Sequence, residues 1–146
     1  VTIGYKRPDR DIMRYLVSNV ATESLVEGRS AFNCVDLPTE DGVVDELAVF
    51  VTAYGGESPS GFLSSSNRTR QYAVHLQIRV RGPRRTNGHE RALDLAWECL
   101  KLLDTPNASL PGYTDVKSID ASPFYQGEDG DGRHNYSFNA RAVYFE

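Results

Sequence analysis

Residues 69–81 read Thr69-Arg-Gln-Tyr-Ala-Val-His-Leu-Gln-Ile-Arg-Val-Arg81, and this stretch decides the fold class. Tyr72, Val74, Leu76, Ile78 and Val80 alternate with Gln71, His75, Gln77, Arg79 and Arg81. Successive side chains of a strand point to opposite faces, so the pattern predicts a strand with one buried and one wet face. At about 3.3 Å per residue it would extend roughly 43 Å, more than the ~30 Å width of a small domain. The strand is therefore expected to bend or project.

Working outward, Leu47 to Tyr54 is β-branched and aromatic with few charges, as suits a strand covered on both faces. Gly55-Gly56 is expected to close it. The two strands then make a long hairpin whose tip is the Ser/Gly/Pro-rich loop Glu57 to Asn67. Loops of this length inside a compact domain tend to be functional or mobile. Phe62 and Leu63 are its large apolar residues and become candidate anchors for a partner.

Two helices flank the hairpin. Pro8 precedes a stretch, Asp9 to about Val20, in which Ile12, Met13, Leu16, Val17 and Val20 recur at helical spacing. Gly28 is expected to end that segment. From Gly88 to Leu103, Leu93, Ala96, Trp97, Leu100 and Leu103 form one apolar stripe, and Ala92, Leu95, Cys99 and Leu102 the next. So wide a face predicts packing on a sheet and on a further surface, with Trp97 largely buried. Asn87 and Glu90 stand at capping-box spacing. Short strands are expected at Phe32 to Leu37, Thr114 to Ala121 and Asn135 to Phe145, with the Gly/Asp-rich stretch Ser122 to His134 as a connection. The whole is an α+β domain spanning 1–146: a mostly antiparallel sheet of about four to five strands, two helices packed on it, and a long projecting hairpin.

Composition narrows the function. An apolar fraction of 40% and a charged fraction of 25% are those of a globular protein. No apolar run approaches the roughly 20 residues that span a bilayer, and Val1 to Arg10 does not read as a signal peptide. Cys34 and Cys99 have no CxxC partner and read as buried thiols rather than a disulfide framework or zinc site. The net charge of −4 is unevenly spread: Arg68 to Arg91 carries +6 and the rest of the chain −10. Within that block Arg79, Arg81, Arg84 and Arg85 are candidates to meet an acidic surface, including another copy of the chain. Glu128, Asp129 and Asp131 lack EF-hand order, and His75, His89 and His134 lack ligand spacing, so no metal or cofactor is expected. No Walker loop, nucleophile elbow or Cys–His motif is present, so no catalytic residue is assigned. An acidic chain without aromatics interleaved among its arginines is not expected to read nucleic-acid sequence.

The order of elements resembles the tail-terminator proteins of long-tailed bacteriophages, often labelled minor capsid or minor tail proteins. The resemblance is carried by the helix ending in Val20-Ala-Thr-Glu23, the strand Tyr72 to Gly82 and the helix Ala92 to Leu103. It is carried most by the ending Pro123-Phe-Tyr-Gln-Gly-Glu-Asp-Gly-Asp-Gly-Arg-His-Asn-Tyr-Ser-Phe-Asn139, where a Gly, Asp and Arg loop precedes an aromatic strand. It implies a structural virion protein assembled in the host cytoplasm. It further implies a ring, usually of six copies, that caps the tail tube and joins the head-side connector or stopper protein, with DNA passing through. Two rivals stand beside it: another neck or head-completion protein of the particle, and a small ligand-binding or enzyme domain with a pocket between the sheet and the second helix.

Overall fold

A computed structural model describes residues 6–33, 47–61, 70–84, 87–104 and 110–146. Helix α1 (Pro8–Asn19) is followed by strands β1 (Ala31–Phe32), β2 (Ala48–Gly61) and β3 (Arg70–Arg81), then helix α2 (Gly88–Leu103) and strands β4 (Asp115–Ser118), β5 (Phe124–Glu128) and β6 (His134–Phe145). Among these residues the fold is α+β, with two helices and one mixed sheet of six strands. The strand order is β1-β2-β3-β6-β4, and β5 also pairs with β6.

Strand β6 is the hub. One side pairs with β3 from Gln71↔Phe145 to Arg81↔Asn135. The other pairs with β4 near its end, Asp115↔Val143 to Ser118↔Ala140, and with β5 near its start, Phe124↔Ser137 to Glu128↔His134. Strands β4 and β5 thus lie end to end along one edge. Asp120 secures the step between them by accepting from the Asn139 backbone N–H (2.7 Å) and side-chain amide (3.1 Å).

The period-two reading of β3 sets the layers. Leu76, Ile78 and Val80 are sealed beneath the helices with Val49, Val51, Phe138, Ala140 and Ala142. Tyr72 and Val74 lie half-buried toward the hairpin tip. Helix α1 starts at Pro8, whose missing N–H costs nothing in a first turn, and Asp9 and Asp11 suit the positive end of its dipole. It buries Ile12, Met13 and Leu16 and ends at Asn19, well before Gly28, which instead occupies a later turn at φ +85°. Glu98 of α2 then accepts from the backbone N–H groups of Ala21 and Thr22 and from the Thr22 hydroxyl, fixing the outgoing chain to the second helix.

Several expectations need correction. Gly55-Gly56 does not end β2, which runs on to Gly61. Positive φ at both glycines (+129° and +152°) bends the strand instead, with register shifts between Ala53 and Gly55 and between Glu57 and Ser60. A Cβ at Gly56 would collide with the Ala73 carbonyl of β3, so this position needs glycine for space as well as conformation. The stretch 122–134 is no simple connection, since it contains β5 and a tight turn into β6. Strand β1 adds a short parallel pair, Ala31↔Val49 and Phe32↔Phe50. The rest of the strand expected at 32–37 and the hairpin tip at 62–69 lie outside the described residues. No capping box forms: Asn87 has φ −99° and ψ 16°, not the extended geometry that aims an N-cap side chain, and makes no side-chain cap bond. Trp97 is half-buried at the margin of the core, with the Lys101 ammonium 5.9 Å from its ring centre.

Burial ranks the expected mutational losses. Phe138, fully buried at the centre of β6, should cost about 3–5 kcal/mol on change to Ala. Trp97→Ala, at the margin, should cost clearly less. Urea unfolding of both variants checks this, and equal losses would contradict the placement of α2.

Candidate assembly surface

The face of the sheet turned away from the helices is polar. Arg79 stands opposite Ser137, Arg81 opposite Asn135 and Gln77 opposite Asn139, all alternating with the core residues of β3 and β6. The Arg79 guanidinium lies 4.7 Å from the ring centre of Phe50, which stacks on Phe32 at 5.3 Å. Phe32, Ala48 and Phe50 form a small apolar cluster of their own on this side. The contact draws on both the cation–π attraction and the alkyl stem of Arg79.

Arg81 was expected on a wet face but is only 7% exposed. Its Nε is buried and finds no hydrogen-bond partner among the described residues. Burial, reinforced by the like charge of Arg133, lowers its pKa, while Asp129 and Asp131 oppose the shift. Arg81 lines a depression of about 440 Å³ together with Arg79, Gln77, Gln126, Ser137 and Asp129. Gln126 donates to the Ser137 hydroxyl at 2.8 Å, which fixes that wall. A cation so enclosed favours an incoming anion, because pairing offsets the cost of its lost hydration.

The other arginines of the basic block part company in space. Arg84 pairs with Asp131 at 3.3 Å in an exposed bridge that joins the start of the α2 connection to the β5–β6 turn. Such a bridge contributes about 0–1 kcal/mol. Arg91 pairs with Glu23 at 3.0 Å, and Arg70 is exposed near the hairpin tip. Arg85, Phe62 and Leu63 lie outside the described residues. Of the arginines singled out from the sequence, Arg79 and Arg81 therefore share one surface and Arg84 stands on a turn beside it.

The Gly/Asp-rich turn uses its acid internally. Asp129 Oδ1 accepts from the backbone N–H groups of Asp131 (2.9 Å) and Arg133 (3.1 Å), and Gly132 at φ +75° completes the turn. Beside it lies a cluster the sequence reading missed, because its members come from three elements. The Tyr125 hydroxyl meets His134 Nδ1 at 2.8 Å, the Tyr136 hydroxyl meets His89 Nε2, and the two imidazole centres are 5.1 Å apart. These contacts hold the first turn of α2 to the β5–β6 hairpin. Between sheet and α2 the interior is filled: Leu95, Ala96, Cys99, Phe138 and Ala140 have no exposure. Burial pushes the Cys99 thiol far above its ordinary range, which leaves it unreactive. Cys34 lies outside the described residues.

Packed helices on one face and an open, arginine-floored surface on the other give this domain the make-up of a binding and assembly protein. A family model described as bacteriophage tail terminator protein matches residues 19–145, and the chain belongs to that family. The family is one of structural tail proteins, which places the chain among the components of a phage virion. Tail terminators act in contact with other tail proteins. No individual curated protein matches the sequence significantly. Among the described residues no helix is long and apolar enough to cross a membrane.

Asp129 yields a test with a defined sign. Burial raises its pKa, but the amides of Arg133 and Asp131 and the charge of Arg81 outweigh that, so the carboxyl titrates below its ordinary range. The stabilisation is thus present above the unfolded-state pKa and is lost as pH falls through the lower folded value. Asp129→Ala should cost about 1.5–3 kcal/mol at pH 7, the scale for hydrogen bonds to a charged group. The gap between variant and wild type should close as pH drops below about 4. Thermal melts across pH measure it, and a gap independent of pH would reject the carboxylate's role.

Proposed function

We propose that copies of this chain form a ring, usually of six, on the end of the completed tail tube. The ring blocks further addition of tube protein and offers its other side to the head-side connector or stopper protein, leaving a passage for DNA. The family match over residues 19–145 carries this reading. The chain works throughout as one structural unit, without a cofactor and without catalysis.

The physical demands of such a part fit what the chain offers. A ring of identical subunits needs two unlike complementary patches on each copy. The open face with Arg79 and Arg81, and Arg84 beside it, supplies a basic one for an acidic surface of a neighbouring copy or the tube protein. Arg85, Phe62 and Leu63 extend the proposal outside the described residues: Phe62 and Leu63 serve as apolar anchors against a neighbour or the tube. Burial of two such side chains adds about 1.5–3 kcal/mol each, enough to offset part of the cost of fixing a Ser- and Gly-rich loop.

Adding the purified chain to polymerising tail tube protein tests the function directly. Electron microscopy should show tubes whose growth stops, with a ring at one end. Tubes of unchanged length distribution would overturn the reading. Arg79→Glu with Arg84→Glu should weaken capping in a chain that still melts cooperatively as a folded protein, and the defect should vary with salt because exposed charges are screened over about 10 Å at 0.1 M. Replacing residues 62–69 by a short Gly-containing turn should preserve the fold yet give tails of uncontrolled length. Normal tails from that variant would remove Phe62 and Leu63 from the interface.

A further inference from the structure

Helix α2 and the opposite face of the sheet present acidic and basic groups that a single chain cannot bring together. On the outward side of α2, Glu90, Asp94, Lys101 and Asp104 are exposed along one line, with half-buried Trp97 among them. Spacings of three and four residues stack these side chains on one side of the helix. The side chains of Glu90, Asp94 and Asp104 make no hydrogen bond or ion pair among the described residues. Other acids are engaged: Glu23 with Arg91, Glu27 with Arg14 and Glu57 with Arg141. Helix α2 therefore presents free negative charge flanking a large aromatic side chain, the composition of an interface anchor.

On the opposite face lies the depression lined by Arg81, whose buried Nε finds no partner among the described residues. Gln77, Gln126 and Ser137 in its walls offer neutral polar groups. Asp129, whose carboxylate holds the turn beside this depression, disfavours a long polyanion such as DNA more than a single side-chain carboxylate. We infer that the acidic line of α2, led by Glu90 and Asp94, docks into the Arg81 depression of a second copy of this chain.

The contact joins unlike patches, so it is heterologous and propagates head to tail until a ring closes. It rests on the ring reading and specifies which two surfaces meet. Trp97 and Leu93 gain cover from the neighbour, and Arg81 gains an acceptor for the Nε that finds none among the described residues.

Cysteine trapping tests this in the full chain with Cys34→Ser as background. Asp94→Cys combined with Gln126→Cys should give, on mild oxidation of the assembled protein, a ladder of covalent multimers. Either single variant alone should give none, and a mixture of the two single variants should stop at dimers. Separately, Glu90→Lys with Asp94→Lys should weaken self-association about tenfold or more, as should Arg81→Gln, with melting curves reporting that both remain folded. Rings that assemble normally but yield no ladder would overturn this contact while leaving the ring reading intact. A chain that stays monomeric and leaves tube length unchanged would remove both. Retention of duplex DNA by the wild-type chain but not by Arg81→Gln, under conditions where copies stay apart, would assign the depression to nucleic acid and overturn the inference.

Discussion

The pairing of β3 with β6 is the constraint on which the rest depends. Their register, Arg81↔Asn135 through Gln71↔Phe145, makes two alternating sequences agree on which side is core. A slip of one residue would turn Leu76, Ile78 and Val80 to water and bring Arg79 and Arg81 under the helices. With the register set, β6 can accept β4 and β5 on its other edge, and both helices find one apolar surface. The polar face is then a consequence of the same pairing, since every residue that leaves the core side must appear there.

Where the sequence has a strong period, the structure follows it. Helices α1 and α2 and strands β3 and β6 were legible to within a residue or two because each buries one face. Strand β5 was not: Phe124 and Tyr125 are each 50% exposed at the sheet edge, so no alternation marks the strand. The continuation of β2 was hidden for another reason. Gly55 and Gly56 look like a stop, but a bulged strand uses the same residues to bend. The capping box at Asn87 shows that spacing does not supply backbone geometry.

The candidate surface was legible residue by residue and not as an arrangement. Arginines close in sequence were grouped by charge, yet Arg84 and Arg91 are drawn to Asp131 and Glu23 on different elements. Only the alternation of β3 guarantees that Arg79 and Arg81 share a face. Their environments still diverge, one lying over Phe50 and the other sunk beside the charge of Arg133. Neither environment could be inferred locally, because the residues that create them stand far away in the chain.

The position of Trp97 gives the molecule a built-in optical gauge. It is the chain's one tryptophan, half-buried on α2 with Lys101 near its ring, and so its indole sits where core and solvent meet. Emission from such a boundary responds to whatever displaces water from the helix. The chain therefore carries a label-free reporter whose colour and quenching would follow coverage of this surface in real time, without adding a dye to a small structural part.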